Sequence, residues 1–596
     1  MQMTAFDYVR NQPSNTGSLA KLASTIKELR RDAAQTQTTC LLFDNGDTFQ
    51  GTPVADYMAR QDANAPHPMV TSMRQIGYDA CGLGNHDFDY GLSRLALSLA
   101  QLEIPVVCSN IASAYLPMVQ PHLMLERWVT GLDGQERRLR IGLLSSLPDK
   151  TALWSKYHLE DRATLAAPLP ILRKAAAKLR AQGADLVIVL AHMGIAQFEE
   201  GPEAQNQIQD VAALEDVDVV IGGHTHLRFP GPEHDGIAGV DTSRGTVNGK
   251  PVVQPGPLGA DIGVIDLSLR ISQGAKRWHV AEARVSLKST TCDTAEDPRI
   301  LSAVKSTHAK TIEFLSVPVA KMAKPMHSYF ALADPSPLPA LLAHAKLRTI
   351  SNCVAGTEYE ALPLLAAASA PLTGGLDGPD NFLYLDAGPL ERRHIAGMNP
   401  YANNVWAVKT SGAQLLDWLE RSAMIFNTLV EDQPEQELID PNVPGFRYDA
   451  IYGLSYEIDP RVPPRFTPSG RRNNASTGRI KNVCWNGKPL DIFQNFLVAT
   501  TDHRAGGGGL YVPFSNEDIA VSGTAPLQDA VCDYFKKPDC AAIRADRPWR
   551  FLPGLKRSAI LRTSPQAAQH LNEIAHLNPE ACGETEEGFL RVRLHL

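Results

Sequence analysis

The stretch Cys81-Gly82-Leu83-Gly84-Asn85-His86-Asp87-Phe88-Asp89-Tyr90-Gly91 places an amide, an imidazole and two carboxylates within five residues, between glycines. Ile76-Gly77-Tyr78-Asp79-Ala80 precedes it and reads as a short buried strand running into a turn. Glycines allow the sharp backbone that ends such a strand abruptly. Polar groups then stand at its carboxyl edge, where open α/β sheets place their chemistry. Asn85 and His86 are adjacent, so an extended segment would point them to opposite sides.

Three other stretches answer to this one. Leu41-Leu42-Phe43-Asp44-Asn45-Gly46-Asp47 is an apolar run ending in carboxylates and a glycine. Ala184-Asp185-Leu186-Val187-Ile188-Val189-Leu190-Ala191-His192 is a buried strand ending in a histidine. Val217-Asp218-Val219-Val220-Ile221-Gly222-Gly223-His224-Thr225-His226 ends in two histidines at i and i+2, which an extended chain points the same way. Oxygen and nitrogen ligands at strand ends suit Zn, Mn or Fe(II). A carboxylate such as Asp47 can bridge two cations, and a two-metal site clamps a phosphoryl group.

The order of these motifs, Gly-Asp, Gly-Asn-His-Asp, His and Gly-His-Thr-His, resembles the calcineurin-like metallophosphoesterases, and within them the 5'-nucleotidase family. The resemblance implies metal ligands at Asp47, Asn85, His192, His224 and His226, and a catalytic pair His86 and Asp89. It implies two divalent metal ions, of Mn, Zn, Co or Fe. Taken locally, Asp89 reads equally well as a cap for the helix starting near Gly91. The family opens with a strand ending in Asp-x-His. This chain begins Met1-Gln2-Met3-Thr4-Ala5-Phe6-Asp7-Tyr8, which matches the segment after that motif. As given, the chain is expected to bind its first metal poorly.

The 596 residues predict at least two domains with full cores. A net charge of −8 argues against a polymeric nucleic-acid partner, because phosphate backbones attract basic surfaces. No apolar run approaches the ~20 residues of a membrane span, and no signal peptide is visible. The resemblance implies a periplasmic protein, whereas the visible N-terminus carries no signal peptide, which leaves a cytoplasmic location as the alternative. It is expected to act as a monomer on small-molecule nucleotides, away from membranes. Nine cysteines form no Cys-x-x-Cys pattern, and Cys532 and Cys540 stand as a candidate pair.

Periodicity predicts helices over 15–35, 66–75, 92–102, 165–182 and 296–314. It predicts strands over 39–43, 104–108 and 140–144, the last in a hairpin with 124–129. Strands 252–256 and 262–267 read as antiparallel partners. The fold class expected is α/β, a four-layer αββα metallophosphoesterase domain over 1–295, then a connector over 296–345. An α+β C-terminal nucleotide-binding domain follows over 346–596. The end, 588–594, alternates as an edge strand does.

The second half resembles the 5'-nucleotidase C-terminal domain through Pro400-Tyr401-Ala402-Asn403-Asn404 and Thr500-Thr501-Asp502-His503-Arg504-Ala505-Gly506-Gly507-Gly508-Gly509. The resemblance implies that Tyr401 and His503 sandwich a base, with His503 standing where the family carries Tyr or Phe. It implies further substrate contacts at Asn403, Arg504, Gly506, Gly507 and Gly508. Stacking on a base is worth ~1–3 kcal/mol. His67-Pro68-Met69, Ser328-Tyr329-Phe330 and Gly453-Leu454-Ser455-Tyr456-Glu457 are similar to the 2',3'-cyclic-nucleotide 2'-phosphodiesterase/3'-nucleotidase branch. The alternatives are a 5'-nucleotidase or nucleotide-sugar hydrolase, and a catalytically impaired nucleotide-binding homologue lacking Asp-x-His.

Overall fold

The computed structural model describes the chain except residues 16, 160, 197–204, 272–276, 371, 376–377, 434, 474–477 and 537–545. It divides into two compact units, Met1–Phe314 and Leu315–Leu596. The division falls inside the stretch expected as a connector. Helix Pro298–Leu315 lies almost wholly in the first unit, and helix Pro337–Val354 in the second.

Two sheets organise the first unit. One has seven strands, in the order Val240–Asp241, Thr246–Val247, Lys250–Val253, Val219–Ile221, Leu186–Ala191, Glu136–Ser146, Leu123–Thr130. Its four central strands, from Lys250–Val253 to Glu136–Ser146, are parallel. The other is a parallel sheet of Phe43–Asp44, Ala80–Cys81, Val106–Val107 and Val119–Gln120.

Strand Leu186–Ala191 shows why the layers stack as they do. All six of its residues are buried, so it carries no apolar/polar alternation, as expected of a strand covered on both faces. Its alternate residues nevertheless serve different cores. Leu186, Ile188 and Leu190 pack with Ala80, Val107, Ile141 and Leu143 between the sheets. Val187, Val189 and Ala191 pack with Leu172, Ala176 and Leu179 of helix Pro168–Ala181 on the outer face. Helix, sheet, sheet and helix is the αββα layering the sequence predicted.

Several local expectations are corrected. Residue 76 is helical, because helix Pro68–Ile76 runs on until Gly77 caps it with φ 77°; only Ala80–Cys81 remain as strand. His67 caps that helix, its Nδ1 accepting from Met69 N at 3.2 Å. Strand 39–43 shrinks to Phe43–Asp44. Lys250–Val253 pairs in parallel with Val219–Ile221, and the antiparallel partner of Asp261–Ile271 is Trp278–Ser289. The C-terminal strand Leu590–His595 is the middle of a three-stranded sheet, between Ser558–Thr563 and Glu580–Glu584. Alternation marks one buried face and is silent on whether an edge is paired.

The second unit is built on a nine-stranded sheet in which Leu364–Ala368, Asn495–Thr501 and Val405–Ser411 are neighbours. Helix Pro337–Val354 packs against all three. Helix Gly412–Ser422 starts at a capping box: Ser411 Oγ accepts from Gln414 N, and Ser411 N donates to Gln414 Oε1. Cys532 is buried, and Cys540 lies outside the described residues. Among the described residues no helix is long and apolar enough to cross a membrane.

Candidate active site

Four parallel strands of the first unit end in the four motif loops, and backbone geometry draws those loops together. Gly46 (φ 88°) turns the chain after Asp44, so close to Gly84 that a Cβ on either glycine would overlap the other loop. Asp87 then ties the loops. Its Oδ2 accepts from Asp47 N (3.0 Å) and Gly84 N (2.8 Å), and its Oδ1 from Thr48 N (2.9 Å) and Phe49 N (3.1 Å). Asn45 performs the same service for the other sheet, its Nδ2 donating to Ala191 O and Ile221 O, both at 3.1 Å. Neither role was assigned from sequence, although both residues stand inside the quoted motifs.

The side chains so placed converge. Asp47 Oδ1 accepts from His86 N at 2.8 Å, and Asp47 Oδ2 lies 3.0 Å from His192 Nε2. His192 Nδ1 is 2.7 Å from the Asn45 carbonyl oxygen, which can only accept, so Nδ1 carries the proton. Nε2 faces the Asp47 carboxylate; burial depresses the imidazole, but the Asp47 charge reverses this and raises it. Nε2 is buried and makes no hydrogen bond of sound geometry. Such a pair is held together by a positive charge between its members.

His224 and Asn85 complete the cluster, with His224 Nδ1 2.8 Å from Asn85 Oδ1. The His192 and His224 rings lie 5.6 Å apart. Burial, followed by the charge on His192, pushes His224 down to about 3, so its imidazole is neutral. Trp154 stacks on His224 at 5.7 Å and 11°, a contact with no sequence signal. The extended geometry expected for the two histidines is overturned. His224 and His226 both take positive φ, 72° and 63°, and His226 is exposed. It remains near enough to His224 for its charge to lower that imidazole further.

Residues Asn85–Phe88 form one turn of 3₁₀ helix, where an extended segment was expected. The turn swings His86 over Asp89, with Nδ1 and Oδ2 2.8 Å apart. Gly91 is the N-cap of helix Leu92–Leu102, without a side-chain cap, so Asp89 serves His86 and not the helix. Burial depresses the His86 imidazole, but Asp89 and then Asp47 reverse this and raise it to about 10. For Asp47 itself burial pushes upward, and the charges of His192 and His86 pull it below the carboxylate range.

Gly84→Ala should cost about 1–3 kcal/mol of stability, since the new methyl overlaps Asp47's carboxylate and backbone nitrogen. Urea unfolding measures it; an unchanged midpoint would show that the loops yield without strain.

In the second unit, Val405 pairs with Thr501, so the loops before and after these residues leave the sheet side by side. Asn404 fastens them: its N and Nδ2 donate to the two Asp502 oxygens at 3.1 and 2.9 Å. Tyr401 and His503 stand in these two loops, both half-buried. Asn403 is half-buried, and its carbonyl accepts from Leu527 N. The His503 ring lies directly over Gly508, where a Cβ would collide with it. Gly506 N and Gly507 N close turns onto Asp502 O and Arg504 O.

Arg504 is turned inward. Its Nε is 2.8 Å from Asp449 Oδ2, it donates to Gly508 O and Phe446 O, and it stacks on Tyr511 at 4.1 Å. It shapes the glycine loop from behind. Arg504→Met strands the buried Asp449 carboxylate and should cost about 3–5 kcal/mol. Thermal unfolding reads this; a variant of parental stability that had lost substrate affinity would instead make Arg504 a ligand contact.

Residues 15–228 match the family described as calcineurin-like phosphoesterase, and 334–516 the 5'-nucleotidase C-terminal domain. The chain is 31% identical to the 2',3'-cyclic-nucleotide 2'-phosphodiesterase/3'-nucleotidase of Yersinia enterocolitica, covering 100% of this chain and 94% of that one. It is 30% identical over 92% of its length to the trifunctional nucleotide phosphoesterase protein YfkN of Bacillus subtilis, of which it spans 38%. Among solved structures it is similar to a putative 5'-nucleotidase of Staphylococcus aureus in complex with alpha-ketoglutarate. There the TM-score is 0.70 at 20% identity, over 92% of this chain and 97% of that one, a likeness of fold.

Proposed function

The chain belongs to the calcineurin-like phosphoesterases that carry a 5'-nucleotidase C-terminal domain, and from that premise we propose that it hydrolyses 2',3'-cyclic nucleotides and 3'-nucleotides. The observation that carries the reading is the 3.0 Å approach of His192 Nε2 to Asp47 Oδ2, in a cluster that also holds His224 and Asn85, beside an imidazole oriented by its own carboxylate. The relative from Yersinia enterocolitica, named for both activities, supports the substrate class.

Asp47, Asn85, His192, His224 and His226 would hold the divalent metal centre. Bound there, divalent cations neutralise phosphoryl oxygens and make water a nucleophile near neutral pH. His86 does the protein's own proton work. Asp89 fixes the Nδ1 side of its ring, so Nε2 is presented from the far edge to the leaving oxygen. Asp87 keeps Asp47 and the His86 turn in one register throughout. In the second unit, Tyr401 and His503 stack on the base, and Asn403 hydrogen-bonds it.

The test is hydrolysis of 3'-AMP, 2',3'-cyclic AMP and 5'-AMP with Mn²⁺ or Co²⁺ added. Preference for the first two supports the reading. Preference for 5'-AMP moves the chain to the 5'-nucleotidases, and adenosine binding without turnover makes it a binding protein.

A further inference from the structure

A second cluster of metal-ligating side chains, made of residues not used above, lies wholly within the second unit. His327 ends the short strand Met326–His327, paired with Tyr384–Leu385. His570 and Glu573 lie three residues apart on the 3₁₀ segment Pro565–Leu577, so they share one face of it. One oxygen, Glu573 Oε1, is 3.2 Å from His327 Nε2 and 3.1 Å from His570 Nδ1. The three ligand atoms all lie within 4.8 Å of one another. The imidazole rings are 4.6 Å apart and inclined at 62°.

We propose that His327, His570 and Glu573 form a further metal site, taking a borderline divalent cation of the zinc type. Two imidazoles and a carboxylate are the donor set of three-ligand zinc centres, which leave one position for water. At bond lengths of ~2.05 Å and tetrahedral angles, neighbouring ligand atoms stand ~3.3 Å apart. Both separations to Glu573 already match this. A thiolate-seeking cation finds no sulfur among these ligands.

The surroundings hold the donors in place. His327 is buried and stacks on Tyr329 at 4.5 Å and 22°, with Tyr384 parallel to it at 6.3 Å. His570 is largely covered, whereas the Glu573 side chain is half exposed, so a cation enters and exchanges from the solvent side. A cation here would pin the 3₁₀ segment to strand Met326–His327 across more than 240 positions of sequence. This inference stands independently of the proposed catalytic reaction.

The experiment is zinc stoichiometry of the full chain by equilibrium dialysis and elemental analysis, beside Glu573→Gln and His570→Gln. The expected result is that each variant loses one zinc equivalent, or binds it at least about tenfold more weakly. Hydrolysis of 3'-AMP with Mn²⁺ should then stay within about twofold of the parent. Parental zinc stoichiometry in both variants would overturn the proposal. Because a variant can lose metal through unfolding, anomalous diffraction at the zinc edge from the unaltered chain gives a second reading. A peak between the three side chains supports the site, and an empty map there in crystals grown with excess zinc overturns it.

Discussion

Asp47→Asn should lower kcat/KM for 3'-AMP by about 10³-fold or more, and lower cation retention in parallel. Asparagine keeps the oxygen that accepts from His86 N, so the loop geometry survives. What disappears is the negative charge 3.0 Å from His192 Nε2. Lewis-acid stabilisation of a phosphoryl transition state is worth several kcal/mol, and each 1.36 kcal/mol is tenfold in rate. Loss of about 4 kcal/mol therefore gives about 10³. Chelation of the parent should produce the same loss, reversed by Mn²⁺ or Co²⁺. Elemental analysis separates the causes: full activity with full metal content in the variant would remove Asp47 from the ligand set.

His86→Gln should lower kcat by about 10²–10⁴-fold, the usual worth of a positioned proton donor. The loss should depend on the leaving group. A nucleoside 3'-oxygen leaves poorly and needs a proton, whereas p-nitrophenolate leaves without one. The variant should therefore retain far more activity on p-nitrophenyl phosphate than on 3'-AMP. Asp89→Asn tests the same pair from behind. It keeps a hydrogen-bonding group 2.8 Å from Nδ1 but removes the charge that helps raise His86 to about 10. A milder loss with the same leaving-group trend is expected. Equal losses on both esters would move His86 from proton donor to a purely structural role.

Gly84→Ala and Asp47→Asn also separate two kinds of residue in the centre. The glycine makes room and the aspartate carries charge. The first substitution should move the unfolding midpoint, and the second chiefly metal content and rate.

The layers, and the side chains that stand at the strand ends, were legible along the chain. Buried runs such as Leu186–Ala191, each ending in Asp, Asn or His, state both a covered parallel strand and a polar carboxyl edge. Side-chain type and hydrophobic period are local properties, so they can be read along the chain. They placed helices Leu92–Leu102 and Pro168–Ala181 within a few residues.

How the loop ends meet follows from packing between distant segments. His224 and His226 were expected to point alike from an extended chain; both instead take left-handed backbone. The turn at Asn85–Phe88 exists because Asp87 gathers four backbone N–H groups from two loops separated by 35 residues of sequence. Trp154 against His224, Arg504 against Asp449, and Glu573 between two imidazoles are likewise contacts between distant segments. No period or motif encodes such pairs, because burial and charge select them only once the sheets have brought their loops together.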